Sequence, residues 1–457
     1  MSLMATQPPS PRRASSGFSF FTKIKPNKDN KQPSPRTLPG RRSTSRSSDK
    51  NQPVQPHNAA SPESEKRRAD LERIHHLLLV EVCRLEDEFV SASKIGRRKE
   101  IGQGISSTVK VMQRKRGKGA ERTTLYAVKE FRPKNPRDSE AGYLCDIKSE
   151  FTIAKSLNHP NIVRTVQLCT SNGRWNQVME YCDQGDVFGL VQRRYLKTTD
   201  RLCIFKQLLR GVDYLHDHGI AHRDLKLENM LMTNEGYIKI ADFGIAAVFC
   251  GDHPGVASSQ GRCGQGMAEP RKSPPDCSGT ISYMSPEVLA RDKDYDMSKL
   301  DVWSCGILFL ALFFSGNPWE RASMGDIYYA RFMEGWKTFF DRFGDATIDE
   351  NCHPQCGEIF DVLPSDSMRR CILKMLHPDP DRRCTIKDAL KDRWVRGIEC
   401  CSREDTEGPS EVIDVSKACH MVKAKLKVQA KHNHLPPPVK RLPQHKFDMG
   451  DGTSRYD

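Results

Sequence analysis

Apolar positions divide this 457-residue chain into stretches of different rhythm. Residues 1–65 hold Ser, Pro, Lys, Arg and Asn with almost no periodic apolar pattern. Such a segment cannot bury enough surface to offset the entropy of ordering it, so a disordered arm is expected over 1–68. Leu71, Ile74, Leu78, Val82, Leu85 and Phe89 then recur at three- and four-residue steps, which predicts an amphipathic helix over 69–94 leading into the core. From 95 to 180, short apolar runs alternate with turns around one helix near Ile147–Leu157. From 186 to 396, helical periodicity takes over at Leu202–His216, Val302–Phe314, Met368–Leu376 and Ile386–Arg393. The pattern predicts an α+β architecture in which a strand-rich small lobe precedes a helix-rich large one. Residues 397–457 turn polar again and include His-Asn-His-Leu-Pro-Pro-Pro at 432–438.

Charge changes this picture at one end only. The net charge is +14, and residues 1–70 carry fourteen Lys/Arg against five Asp/Glu, so most of the excess belongs to the arm. Aromatic residues that would stack on bases are nearly absent there, and a nucleic-acid role is not expected. Ser-Pro steps at Ser10, Ser34 and Ser61 make the arm a candidate regulatory or docking segment. The sixteen cysteines form no regular framework; several (Cys83, Cys145, Cys203, Cys305, Cys371) sit singly in apolar stretches, where a thiol acts as a small hydrophobe. Residues 1–20 lack the apolar core of a secretory leader, and the run Cys305–Phe314 is too short to cross a bilayer. Free thiols in a reducing, cytoplasmic compartment are the expectation.

The chemistry lies in the core. Ile101-Gly102-Gln103-Gly104-Ile105-Ser106-Ser107-Thr108-Val109 has the spacing of a glycine-rich loop whose amides approach phosphate oxygens, with Ser107 where a third glycine would stand. Tyr126-Ala127-Val128-Lys129 puts a lysine at the end of an apolar strand, able to face inward toward phosphates, with Glu150 as its candidate ion-pair partner. His222-Arg223-Asp224-Leu225-Lys226-Leu227-Glu228-Asn229 is followed by Asp242-Phe243-Gly244, thirteen residues beyond Asn229.

In these motifs and their order, residues 95–396 resemble the eukaryotic protein kinase family. The resemblance implies a bilobal protein kinase fold, with ATP and Mg²⁺ as cofactors and protein substrates. It also implies Asp224 as the base beside the acceptor hydroxyl, Lys226 as the neutraliser of the transferring phosphoryl, and Asn229 and Asp242 as metal ligands. Lys226 is the serine/threonine-kinase residue at its position. Met179 is similar to the residue guarding the adenine pocket, Glu180-Tyr181-Cys182 to the hinge, Asp186 to the ribose ligand, and Leu231 joins the nucleotide-binding set. Thr280 is similar to the threonine bonding the catalytic aspartate and lysine, and Asp301 to the helix aspartate bracing the catalytic loop. Glu287 of Ser285-Pro286-Glu287 would pair with Arg383. Met179-Glu180-Tyr181-Cys182, His-Arg-Asp-Leu-Lys-Leu-Glu-Asn and the His-Asn-His-Leu-Pro-Pro tail resemble the fungal kinases that regulate nutrient and potassium transporters. That group's serine-aspartate beside the substrate loop is replaced by Gly279-Thr280-Ile281-Ser282.

The segment from Asp242 to Glu287 departs from the family in its length. Its Cys250, Cys263, Cys277 and His253 lack a C-x-x-C pair, so a mobile insertion is favoured over a zinc site. Asp276 stands where the family often carries an activating phosphate, and is expected to pair with Arg223 in its place. Ser273 and Ser278 are rival sites for an upstream kinase. A pseudokinase scaffold is the alternative reading; it generally lacks the equivalents of Lys129, Asp224 or Asp242, all present here. The oligomeric state and the physiological substrate are not legible.

Overall fold

The computed structural model describes residues 78, 80–92, 100–103, 107–115, 124–136, 138–344, 347–349, 352–401, 412–413, 427–428 and 434–436. The arm at 1–68 and most of the tail lie outside them.

The first lobe contains β1 (Val82–Arg84), α1 (Leu85–Glu88), β2 (Phe89–Ser91), β3 (Glu100–Gln103), β4 (Ser107–Arg114), β5 (Leu125–Phe131), α2 (Glu140–Ser156), β6 (Thr165–Ser171) and β7 (Arg174–Glu180). Its seven strands run in the order β1-β6-β7-β5-β4-β2, with β3 also paired to β4. Among the described residues of this sheet, only the β1–β6 pair is parallel. One face buries Leu85, Phe89, Val128, Cys169 and Val178. Phe131 and Leu168 instead pack against Ile147 and Phe151 of α2. Ser139 caps α2 by accepting the Gly142 N–H at 3.0 Å, which starts the helix seven residues before its expected apolar face.

Residues 82–91 correct the helix expected over 69–94. They form strand, single turn and strand, with β1 against β6 and β2 against β4. The apolar residues do pack on the lobe, Leu85 and Phe89 being buried, but the two sheet edges offer unpaired N–H and C=O groups that only an extended segment can satisfy. Tertiary pairing has overridden a local pattern compatible with a helix. Leu71 and Ile74 lie outside the described residues.

The second lobe contains α3 (Val187–Gln192), α4 (Thr198–Asp217), β8 (Ile220–Ala221), β9 (Met230–Met232), β10 (Ile238–Ile240), β11 (Ala247–Val248), α5 (Pro286–Ala290), α6 (Met297–Phe314) and α7 (Ile327–Phe343), followed by short helices up to Gly397. The run Cys305–Phe314 belongs to the 18-residue α6, a helix long and apolar enough to span a bilayer, yet 78% buried at the centre of this lobe. It packs on α4 through Phe205 and Phe309, whose rings meet edge-on at 4.9 Å. The end of the core also differs from the polar tail expected after Arg396. Cys400, Cys401 and His434 are buried, the two cysteines against Cys203 of α4 and Tyr237.

Candidate active site

Strand β5 carries Lys129, the lysine expected to face phosphates. Lys129 is opposite Val109 on β4 and Gln177 on β7, and its side chain crosses to α2. Its Nζ lies 2.6 Å from Glu150 Oε1 and 2.8 Å from Asp242 Oδ1. Burial alone would lower the lysine pKa, but the two carboxylates outweigh it and hold Lys129 above the usual lysine range. Burial pushes Glu150 up, partly countered by Lys129. Burial also opposes ionisation of Asp242, but Lys129 outweighs it and keeps that carboxyl below the ordinary value. Gly244 packs closely beside this pair: a Cβ there would meet Asp242 Oδ1 at 3.3 Å and Glu150 Oε2 at 3.4 Å.

Asp224 sits in the connection between β8 and β9. Its Oδ2 accepts from Lys226 Nζ at 2.7 Å and from Asn229 Nδ2 at 3.1 Å, while its Oδ1 accepts from the Thr280 hydroxyl at 2.7 Å. Lys226 also donates to Thr280 Oγ1 at 2.9 Å. Three expected residues therefore meet around the carboxylate of a fourth. Gly279 lets Thr280 come this close, since a Cβ at residue 279 would lie 2.8 Å from the Arg223 carbonyl. The Ala241 N–H donates to the Asn229 carbonyl at 2.8 Å, so Asn229 and Asp242 lie at the end of the same β9–β10 ribbon.

Two residues here hold unusual backbone angles, Arg223 at φ 68° and Asp242 at φ 65°. Non-glycine residues persist in this region only where their surroundings over-determine them. For Arg223 the constraint is Asp301 of α6, fully buried, which accepts the N–H groups of His222 and Arg223, each at 2.8 Å. His216 Nε2 lies 3.0 Å from the same carboxylate, and His222 Nε2 lies 3.0 Å from the Ala241 carbonyl. His216 had no signal in the sequence: it lies on α4, far in the chain from Asp301.

The residues expected to meet the adenine form an apolar cluster. Met179 and Leu231 pack with Cys182, Val163 and Ala241, and Ala127 pairs with Met179 across the sheet. Burial pushes the Cys182 thiol up to about 12, so it serves as a small apolar wall. Glu180 is held through Oε1, which accepts from the Arg164 N–H at 2.6 Å and lies 2.8 Å from Lys239 Nζ. Asp186 bridges to Leu231 and caps α3, its Oδ1 accepting from the Gly189 N–H at 2.7 Å. Ile101, Gly102 and Gln103 lie on β3, and Ser107 and Val109 on β4, as the two arms of a hairpin. Gly104 is outside the described residues.

Arg223 and Asp276 meet as expected. Arg223 Nη2 donates to Asp276 Oδ1 at 2.7 Å and Oδ2 at 2.5 Å. Tyr295, which the sequence did not single out, completes the knot: its hydroxyl donates to Asp276 Oδ1 and accepts from Arg223, both at 2.7 Å. Of the two serines expected as phosphorylation sites, Ser273 is buried and bonded through its backbone to Tyr295, so a kinase has no access to its hydroxyl in this conformation. Ser278 is half-buried and donates to Asp276 at 3.3 Å. Cys250, Cys263 and Cys277 contact three separate backbone carbonyls, and His253 bonds Ser149, so these four residues do not converge.

The protein kinase domain family matches residues 95–395. Among curated proteins, the chain is 36% identical to the serine/threonine-protein kinase hal4 of Schizosaccharomyces pombe, over 68% of this chain and 45% of that protein. It is 33% identical to the serine/threonine-protein kinase PRR2 of Saccharomyces cerevisiae, over 73% of this chain and 45% of that one. It is 30% identical to the nitrogen permease reactivator protein of the same yeast, over 66% and 39%. The chain thus spans less than half the length of each of these relatives. The bilobal fold, the Lys129–Glu150–Asp242 contacts and a match over about two thirds of its residues agree: the chain belongs to the protein kinase family.

Proposed function

We propose that this chain is an ATP-dependent serine/threonine protein kinase. The observation that carries the reading is the pair of assembled carboxylate centres: Asp224 held by Lys226, Asn229 and Thr280, and Asp242 tied through Lys129 to Glu150. Phosphoryl transfer asks for alignment and charge neutralisation more than for covalent help. Asp224 orients the acceptor hydroxyl and takes its proton. Lys226, already beside Asp224 and Thr280, neutralises the phosphoryl as it moves. Lys129 holds the α- and β-phosphates, fixed in direction by Glu150. Met179, Cys182, Ala127 and Leu231 enclose the adenine, and the backbone of 180–182 meets its edge.

The hard oxygen donors Asp242 and Asn229, at one end of the β9–β10 ribbon, suit Mg²⁺. When bound, Mg²⁺ would neutralise the triphosphate charge. Lys226 favours serine and threonine acceptors, so incubation with mixed Ser, Thr and Tyr peptides is expected to yield phosphoserine and phosphothreonine by mass spectrometry. Phosphotyrosine as the main product would overturn the specificity. Similarity to the nitrogen permease reactivator protein supports extending the reading to control of a nutrient transporter.

The ion pair at Asp276 supports a second element of the proposal, in which this carboxylate stands in for an activating phosphate. A hydrogen bond to a charged group is worth about 1.5–3 kcal/mol. Asp276→Ala is therefore expected to lower kcat about 10- to 100-fold, with partial recovery in Asp276→Glu. Unchanged steady-state kinetics in Asp276→Ala would remove the role.

A further inference from the structure

A second cluster of reactive groups lies against α4, and nothing in phosphoryl transfer uses it. Asp200 and Cys203 are three residues apart on α4 and so share one helix face. Against this face come Cys401, just past the last core helix, and His434, far along the tail. The donor atoms of Cys203, Cys401 and His434 all lie within 4.8 Å of one another, and all three residues are buried.

From this convergence we propose that Cys203, Cys401 and His434 form a structural site for a borderline-soft divalent cation, with zinc as the expected occupant. The donor set is the first argument. Two thiols and an imidazole are the groups that select zinc over hard cations. A tetrahedral zinc bonded at about 2.3 Å to sulfur and about 2.0–2.1 Å to nitrogen holds those two donors about 3.5 Å apart. His434 Nε2 and Cys401 Sγ are 3.5 Å apart.

The outer contacts are the second, independent argument. A ligating histidine almost always turns its other ring nitrogen to a carboxylate or carbonyl, which fixes the tautomer. His434 Nδ1 lies 3.2 Å from Asp200 Oδ1, and Asp200 is itself fixed by accepting the Lys197 N–H at 2.8 Å. The Cys401 N–H points at Cys203 Sγ from 3.2 Å, a contact that suits a thiolate. The chain is also held from both sides: the Tyr195 hydroxyl donates to the His434 carbonyl at 2.9 Å, and Lys206 donates to the Ile398 carbonyl at 2.7 Å. Cys400, buried beside Cys203, turns its thiol to the Cys203 carbonyl at 3.9 Å and the Cys401 carbonyl at 3.4 Å and stands outside the donor set, which leaves the fourth position to a water molecule.

Loading such a site balances simply. The two thiols each lose a proton to solvent as their sulfurs bond the cation, and a divalent ion with two thiolates and a neutral imidazole carries no net charge into the buried region. Chemically, the site would staple the segment ending at His434 to α4 of the catalytic lobe.

The test uses the full-length chain purified without chelator and without added metal, then analysed for bound elements after desalting. About one zinc per chain is expected, falling at least tenfold in His434→Ala and in Cys401→Ser. Should either variant misfold, cobalt added to the metal-stripped wild type gives a separate readout. Visible d–d bands of a tetrahedral site, with thiolate-to-cobalt charge transfer in the near ultraviolet, are expected. No zinc in the wild type and no such bands with cobalt would overturn the proposal. Full zinc retention by a folded His434→Ala would do the same, as would an intact mass lower by two hydrogens with a peptide linking Cys203 to Cys401, which marks a disulfide.

Discussion

Asp224→Asn is expected to lower turnover on a generic basic protein about 100- to 10,000-fold, the range by which a positioned base accelerates proton transfer. The amide keeps the size of the side chain and can still accept from Thr280, yet it cannot take up the proton and no longer attracts Lys226 as a carboxylate does. The loss should fall on kcat. The adenine wall of Met179, Cys182 and Leu231 and the Lys129–Asp242 contact lie apart from residue 224, so nucleotide affinity measured by calorimetry should stay close to wild type. Equal turnover in the two proteins would refute the catalytic assignment, and the remaining account would be a scaffold that binds nucleotide without using it.

Arg383→Ala is expected to destabilise the fold by about 3–5 kcal/mol, because it strands a buried carboxylate. Arg383 grips Glu287 with two bonds, Nη1 to Oε1 at 2.7 Å and Nη2 to Oε2 at 3.0 Å. The arginine side chain is 0% exposed and the glutamate 7%. The guanidinium also donates to the His377 and Lys299 carbonyls and lies 5.0 Å from the centre of the Trp303 ring. Truncation removes all of these at once and leaves Glu287 without its counter-charge. At about 2–4 °C per kcal/mol for a body of this size, the melting temperature should fall by about 6–20 °C. A double change, Arg383→Met with Glu287→Gln, should recover part of the loss, since replacing both charges removes the stranded one. If Arg383→Ala melts with the wild type, the pair contributes no measurable stability.

Which features could be read from the sequence follows from which were set locally. Lys129, Asp224, Asn229 and Asp242 were legible because charge neutralisation requires those side chains at fixed offsets along one strand or one loop. Asp276 was legible through its distance from Thr280. Its partner Tyr295 was not, because the contact depends on how two loops fold back on each other. The strands at 82–84 and 89–91 misled for a related reason: their apolar spacing suits a helix, and only the open edges of β4 and β6 decide otherwise. Helix α7 was passed over although Tyr329, Phe332, Trp336 and Phe339 repeat at steps of three and four behind the Asp326 cap. The burial of His434 was the least legible feature, since nothing in a polar stretch marks it as the partner of a helix more than two hundred residues earlier.

The Arg223–Asp276–Tyr295 knot has a consequence for how such an enzyme could be switched. A phosphate at this place can be written by one enzyme and erased by a phosphatase, so it makes a reversible signal. A carboxylate encoded in the gene cannot be erased. Under the role proposed for Asp276, reversible control would act away from this carboxylate, with Ser278 beside it and the Ser-Pro steps of the arm as the places left for a phosphate.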